Sequence, residues 1–159
     1  MRSTLVPERT VRTRSAEETR DLAARLAAVA RPGDVIGLRG ALGAGKTQFA
    51  AGFGRGLGVT ETINSPSFVL MAEYVGREPL FHVDLYRLAG PAEILASGLL
   101  DVRLGEGITV IEWAERLGGL FAATWLDVAI EGSGAEPRAI RIRAPGSGYA
   151  RYLEGAQIP

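Results

Sequence analysis

No cysteine occurs among the 159 residues, so disulfide staples are excluded and an oxidising, secreted setting has no support. The N-terminus, MRSTLVPERT, opens on charge rather than on a basic patch followed by an apolar core, which gives no sign of export. No apolar run approaches the roughly 20 residues that a helix needs to span a bilayer. The expectation is a cytoplasmic protein with no membrane segment. Net charge is missing as well: Lys plus Arg and Asp plus Glu both number 18, so no bulk positive field is available to hold a polyanion. His82 is the only histidine, and without a second imidazole or a thiol a zinc centre lacks ligands. Internal repeats and low-complexity linkers are absent too. The length suits one domain, residues 1–159, and 47% hydrophobic residues suffice to bury its core.

The sharpest shortage is of lysine. Seventeen of the 18 basic residues are arginine, and Lys46 stands alone. A chain so averse to lysine would accept arginine wherever positive charge alone mattered. Lys46 therefore marks a position that needs a slim ammonium on a flexible stem.

What surrounds it explains the need. Gly40, Ala41, Leu42, Gly43, Ala44, Gly45, Lys46 and Thr47 spell a complete G-x-x-x-x-G-K-[ST], preceded by the apolar run Val35-Ile36-Gly37-Leu38. Strand, glycine-rich loop and helix follow in the order of a P-loop. Glycines allow the backbone to turn its N–H groups inward around a β-phosphate, and a helix starting near Lys46 adds the positive end of its dipole. Lys46 is placed to reach the β- and γ-phosphates, and the Thr47 hydroxyl to coordinate the bridging magnesium ion.

The remaining scaffold reads as α/β. A short strand is expected over 10–14, followed by a helix to about residue 30 that opens on the capping box Ser15 and Glu18 and carries Leu22, Leu26 and Val29 at helical spacing. Pro32-Gly33-Asp34 ends that segment. The helix after Lys46 carries Gly52, Gly54 and Gly56, each costing about 0.5–1 kcal/mol relative to alanine, so close packing against a neighbour must compensate. Buried strands are expected over 80–83 and 108–111, and later ones over 126–130 and 139–143, the last two joined by a turn at Gly132-Ser133-Gly134.

Two of these strands run into an acid, Asp84 after Val83 and Glu112 after Ile111. Ligands of open α/β sheets bind beyond the carboxyl ends of the strands, where such acids can orient magnesium, its water shell or an attacking water. Either acid alone would read equally well as a solvated strand end; beside a P-loop the pair favours function. Between the P-loop helix and Asp84 lies Asn64-Ser65-Pro66-Ser67-Phe68-Val69-Leu70. Its hydroxyls occupy the place where P-loop switches sense a γ-phosphate, although spacing alone fits an ordinary polar turn. His82 shares a strand face with Asp84 and reads as a hydrogen-bonded structural residue. Trp113, next to Glu112, reads as packing that clamps the loop bearing that acid.

GALGAGKT, SPSFVL, HVDLYRL and IEWAERL, in this order and spacing, resemble the TsaE family over roughly residues 10–145. The resemblance implies a small bacterial ATPase acting with the proteins TsaB and TsaD in threonylcarbamoyl-adenosine formation next to the tRNA anticodon, with tRNA contacted indirectly through the complex. It implies ATP and Mg2+ as cofactors, bound through residues 40–47, with Glu112 as the Walker B-like magnesium acid. Asp84 is then required for hydrolysis or its coupling to partners, and joins Thr47 and Glu112 in the expected metal set, while Lys46, Asp84 and Glu112 form the expected catalytic set. By the same resemblance Ser67 is the switch contact, and Ser15 and Arg138 touch adenine or ribose.

Departures from the family pattern are local. Gln48 stands where a second threonine is common, and Ser67 where threonine is usual; neither change removes the Thr47 hydroxyl. A regulatory GTPase is excluded, because the usual guanine-reading N-K-x-D motif needs a lysine and the only one is in the P-loop. A small-molecule kinase, with Arg77 and Arg87 as candidate lid arginines, and a nucleotide sensor without turnover remain as alternatives. The expected architecture is a three-layer, P-loop NTPase-like α/β domain with a largely parallel central sheet.

Overall fold

The computed structural model describes residues 6–66, 69–100 and 105–156. Strands β1 (Glu8–Thr13), β2 (Val35–Arg39), β3 (Met71–Val75), β4 (Pro79–Asp84), β5 (Ile108–Glu112), β6 (Leu126–Glu131) and β7 (Arg138–Arg143) form one sheet in the order β1-β7-β6-β2-β5-β4-β3. The centre, β6-β2-β5-β4, is parallel, whereas β7, β1 and β3 add antiparallel edges. Helices α1 (Ala16–Ala27), α2 (Lys46–Gly56) and α4 (Arg151–Gly155) pack on one face through Leu22, Leu26, Phe49, Phe53 and Tyr152. Helix α3 (Pro91–Ser97) and a 3₁₀ segment over Ala114–Leu120 cover the other face through Ile94, Ala114 and Leu117. Two cores on opposite faces of one sheet make the three layers expected from the sequence. No described helix is long and apolar enough to cross a membrane.

The first helix starts at the expected N-cap, although the returning bond of Glu18 reaches one residue before it. The Ser15 hydroxyl accepts from the Glu18 N–H at 3.1 Å, while Glu18 reaches back to the Arg14 N–H at 2.7 Å. It ends at Ala27, earlier than residue 30, because residues 28–30 tighten into bonds to the third residue back. The first strand begins at Glu8 rather than at residue 10.

The glycines of α2 meet their compensation. A Cβ on Gly52 would lie 2.2 Å from the Arg20 carbonyl oxygen of α1, and one on Gly56 2.5 Å from that of Ala24. Both obstacles are backbone and cannot swing aside. Gly52→Ala is accordingly expected to lower the denaturant midpoint: overpacking costs about 1–3 kcal/mol, more than the roughly 1 kcal/mol of helix propensity gained. A midpoint at or above that of the unmutated chain would show that the two helices can separate freely. The contact also fixes the spacing between Ser15, the N-cap of α1, and Lys46 and Thr47 at the start of α2.

Candidate functional site

The P-loop leaves the carboxyl end of β2 and enters α2 at Lys46, with Gly43 and Gly45 at φ 82° and 114°. Lys46 is buried, and its Nζ donates to the carbonyls of Gly40 at 2.6 Å and Ala41 at 2.9 Å. The same ammonium lies 4.0 Å from the centre of the Trp113 ring, close enough for a cation–π attraction. Burial pushes the Lys46 pKa below its usual value, against the opposing pull of Glu115, Glu112 and Asp84.

Trp113 reaches this position at a conformational cost. Its φ of 60° and ψ of 40° are left-handed, a region in which bulky residues are uncommon. Tyr86, with its ring centre 5.0 Å away, and the Arg116 guanidinium, 5.5 Å away, bracket the indole. Packing was expected of Trp113; that it covers the lysine was not, since no local pattern relates positions 46 and 113.

Asp84 and Glu112 are the last residues of β4 and β5 and stand opposite each other in the parallel register. Glu112 is buried and divides its oxygens: Oε1 accepts from the Thr47 hydroxyl at 2.9 Å, and Oε2 lies 2.6 Å from His82 Nε2. A carboxylate only accepts, so the imidazole donates through Nε2, and its Nδ1 has no partner among the described residues. His82 thus serves Glu112 across the strand pair rather than Asp84 along its own strand. Asp84 accepts from the Tyr86 N–H at 2.9 Å and from the Ser65 hydroxyl. The Asp84 N–H in turn donates to the Leu70 carbonyl at 2.9 Å. The switch-like segment is therefore tied to Asp84 from both of its ends. Ser67 lies outside the described residues.

Beside the loop, a cavity of about 210 Å³ is lined by Ser15, Thr19, Gly43, Gly45, Gln48 and Arg138 among others. Ser15 and Arg138 come from opposite ends of the chain and meet here. Gln48 turns its Oε1 to the Arg20 guanidinium at 2.5 Å, so it does not replace the missing second hydroxyl. Arg138 donates to the carbonyls of Ala44 at 2.9 Å and Gly43 at 3.3 Å.

A family model described as threonylcarbamoyl adenosine biosynthesis protein TsaE matches residues 13–140. The chain belongs to the TsaE family. Among its relatives, the Bacillus subtilis tRNA threonylcarbamoyladenosine biosynthesis protein TsaE is 41% identical over 144 residues, covering 90% of each chain. The Treponema pallidum protein of the same name is 43% identical over 104 residues, covering 65% of this chain and 77% of its own. The crystal structure of Bacillus subtilis YdiB superimposes with a TM-score of 0.79 at 35% identity, covering 97% of both chains. The span matched to TsaE encloses the whole constellation, from Ser15 to Arg138.

The side chains present suit a magnesium–nucleotide complex. The Thr47 hydroxyl and the Glu112 carboxylate meet at the mouth of the loop, with Asp84 on the adjoining strand end, the oxygen donors that a hard cation prefers. Among the described residues no group of three or more His, Cys, Asp or Glu is placed to chelate an ion unaided. Magnesium is commonly held by one or two carboxylates with phosphate oxygens completing its shell, so this sparse set fits a metal that arrives with its nucleotide.

Proposed function

We propose that the chain binds ATP with magnesium at residues 40–47 and hydrolyses it slowly, as the ATPase component acting in the cytoplasm with TsaB and TsaD in tRNA threonylcarbamoyladenosine biosynthesis. The observation that carries this reading is the Thr47 hydroxyl 2.9 Å from Glu112, with Asp84 on the adjoining strand end. Bound ATP and magnesium supply the transferable phosphoryl group and neutralise the charge that develops on it. Lys46 would leave its two loop carbonyls for phosphate oxygens, Thr47 and Glu112 would hold the magnesium, and Asp84 would orient an attacking water. The cavity walled by Ser15, Gly43 and Gln48 takes the nucleoside.

Partner docking at this edge is supported by its surface. Leu42, Val69 and Tyr86 are exposed apolar side chains on the P-loop, the switch-like segment and the turn after Asp84. The kinase alternative loses one lid candidate, because Arg77 donates to the Ala27 and Ala30 carbonyls at the far end of α1.

Measuring ATP turnover with and without TsaB and TsaD tests the proposal. Stimulation by the partners is expected; turnover that depends on a small-molecule acceptor would favour a kinase, and none under any condition a sensor. Asp84→Ala should separate binding from coupling. Asp84 contacts Ser65 and the turn at Tyr86 rather than the loop that grips phosphate, so ATP affinity should stay within a few-fold while threonylcarbamoylation of tRNA is lost. Modification at the unmutated rate would reduce Asp84 to a strand-end acid.

A further inference from the structure

We propose that Arg138, on the wall of the nucleoside cavity, is a positioning residue that fixes the direction of the P-loop peptides, and that it acts on phosphate through them rather than by hydrogen-bonding base or ribose. The inference rests on the nucleotide-binding reading above and assigns Arg138 a role within it.

A guanidinium has five N–H donors in a rigid fork, and nearly all of those of Arg138 are committed to backbone carbonyls. Nε donates to Ala44, one terminal nitrogen to Gly43 at 3.3 Å and Gly134 at 3.1 Å, and the other to Glu136. Little remains for a nucleoside. The acceptors lie on two elements, the P-loop and the hairpin between β6 and β7, so the side chain rivets one to the other. The hairpin is shaped for it: Gly132, at φ 126°, leaves the space in which a Cβ would stand 2.8 Å from Arg138 Cδ.

The consequence follows from peptide planarity. In a trans peptide the N–H points opposite to the carbonyl of the same unit, and the chain has no cis bonds among the described residues. Holding the Ala44 carbonyl toward Arg138 aims the Gly45 N–H away from it, and among the described residues that N–H meets no acceptor. Anion binding by a glycine-rich loop depends on such outward carbonyls and inward amides. Arg138 supplies the outward half at the helix end of the loop.

Competition of Mg-ATP and of magnesium tripolyphosphate against a fluorescent ATP analogue distinguishes the roles, because tripolyphosphate has neither base nor ribose. Arg138→Gln should weaken both ligands by a similar factor, about tenfold, as expected for losing bonds that involve a charged group. Arg138→Lys should not rescue either, since it keeps the charge and loses the fork. The Gly45 amide resonance should shift in both variants as its peptide loses its fixed direction, while amide exchange in the central strands stays unchanged, which also confirms that the variants are folded. A loss confined to ATP would overturn the proposal in favour of a base or ribose contact, and full rescue by lysine in favour of simple charge. Binding of neither ligand by the unmutated chain would overturn the phosphate-site reading itself, and this inference with it.

Discussion

Lys46→Ala is expected to abolish detectable ATP turnover and to weaken ATP binding by roughly a hundredfold or more, and Lys46→Arg to do nearly as badly although it conserves charge. Each hydrogen bond from a charged donor is worth about 1.5–3 kcal/mol. Losing two such contacts to phosphate removes about 3 kcal/mol or more, and every 1.4 kcal/mol is about tenfold in affinity. The arginine result follows from the shape of the slot. Nζ is enclosed by the Gly40 and Ala41 carbonyls at 2.6 and 2.9 Å and by the Trp113 ring at 4.0 Å. A planar guanidinium cannot enter that space without moving the indole, which Tyr86 and Arg116 hold in place. Titration with a fluorescent ATP analogue, alongside phosphate release, checks both variants. Near-normal affinity and turnover in Lys46→Arg would remove the explanation for the chain's single lysine.

The parts of this site that were legible in the sequence are those whose cause is local. Apolar runs ending at Val83 and Ile111 announced buried parallel strands, and the acids that follow them fell opposite each other because the two strands align in register. Ser15 and Glu18 announced the start of α1 because capping is a four-residue affair. Strand β3 escaped notice because it is an edge strand in which only Tyr74 is buried, with Glu73 at its centre, so neither a buried run nor clean alternation marks it. Helix α3 begins at Gly90 without a side-chain cap and lasts only from Pro91 to Ser97, too short to show a period. The contacts that complete the site share this non-local character. His82 meets Glu112 only once β4 and β5 pair, Trp113 meets Lys46 only through a left-handed backbone turn, and Arg138 meets Ala44 only when the β6–β7 hairpin folds over the loop. A periodicity or motif search finds the elements; the register between them is set by tertiary packing.

Glu112→Ala should cut magnesium-dependent hydrolysis by about two orders of magnitude, the scale of losing one preorganised electrostatic contact in a transition state, while ATP binding measured without magnesium changes little. The hydrogen bonds of the carboxylate reach the Thr47 hydroxyl and His82 and none of the loop amides proposed to hold phosphate. Apart from its through-space pull on Lys46, its influence on the nucleotide is expected to pass through the metal. A competing effect has to be separated. Truncation leaves His82 Nε2 buried without its acceptor, which costs about 1–3 kcal/mol of stability and could lower activity by unfolding a fraction of the protein. Glu112→Asp provides the control, because it keeps the charge and draws the carboxylate back by one methylene from Thr47 and His82 alike. If the metal role is correct, Glu112→Asp retains magnesium-dependent tightening of ATP and Glu112→Ala loses it, even at temperatures where both variants are fully folded. Calorimetric titrations with and without magnesium, run on both variants beside the unmutated chain, make that comparison directly. Equal losses of affinity under the two conditions would sink the metal role and leave Glu112 as a structural acid that fixes His82 beneath the loop.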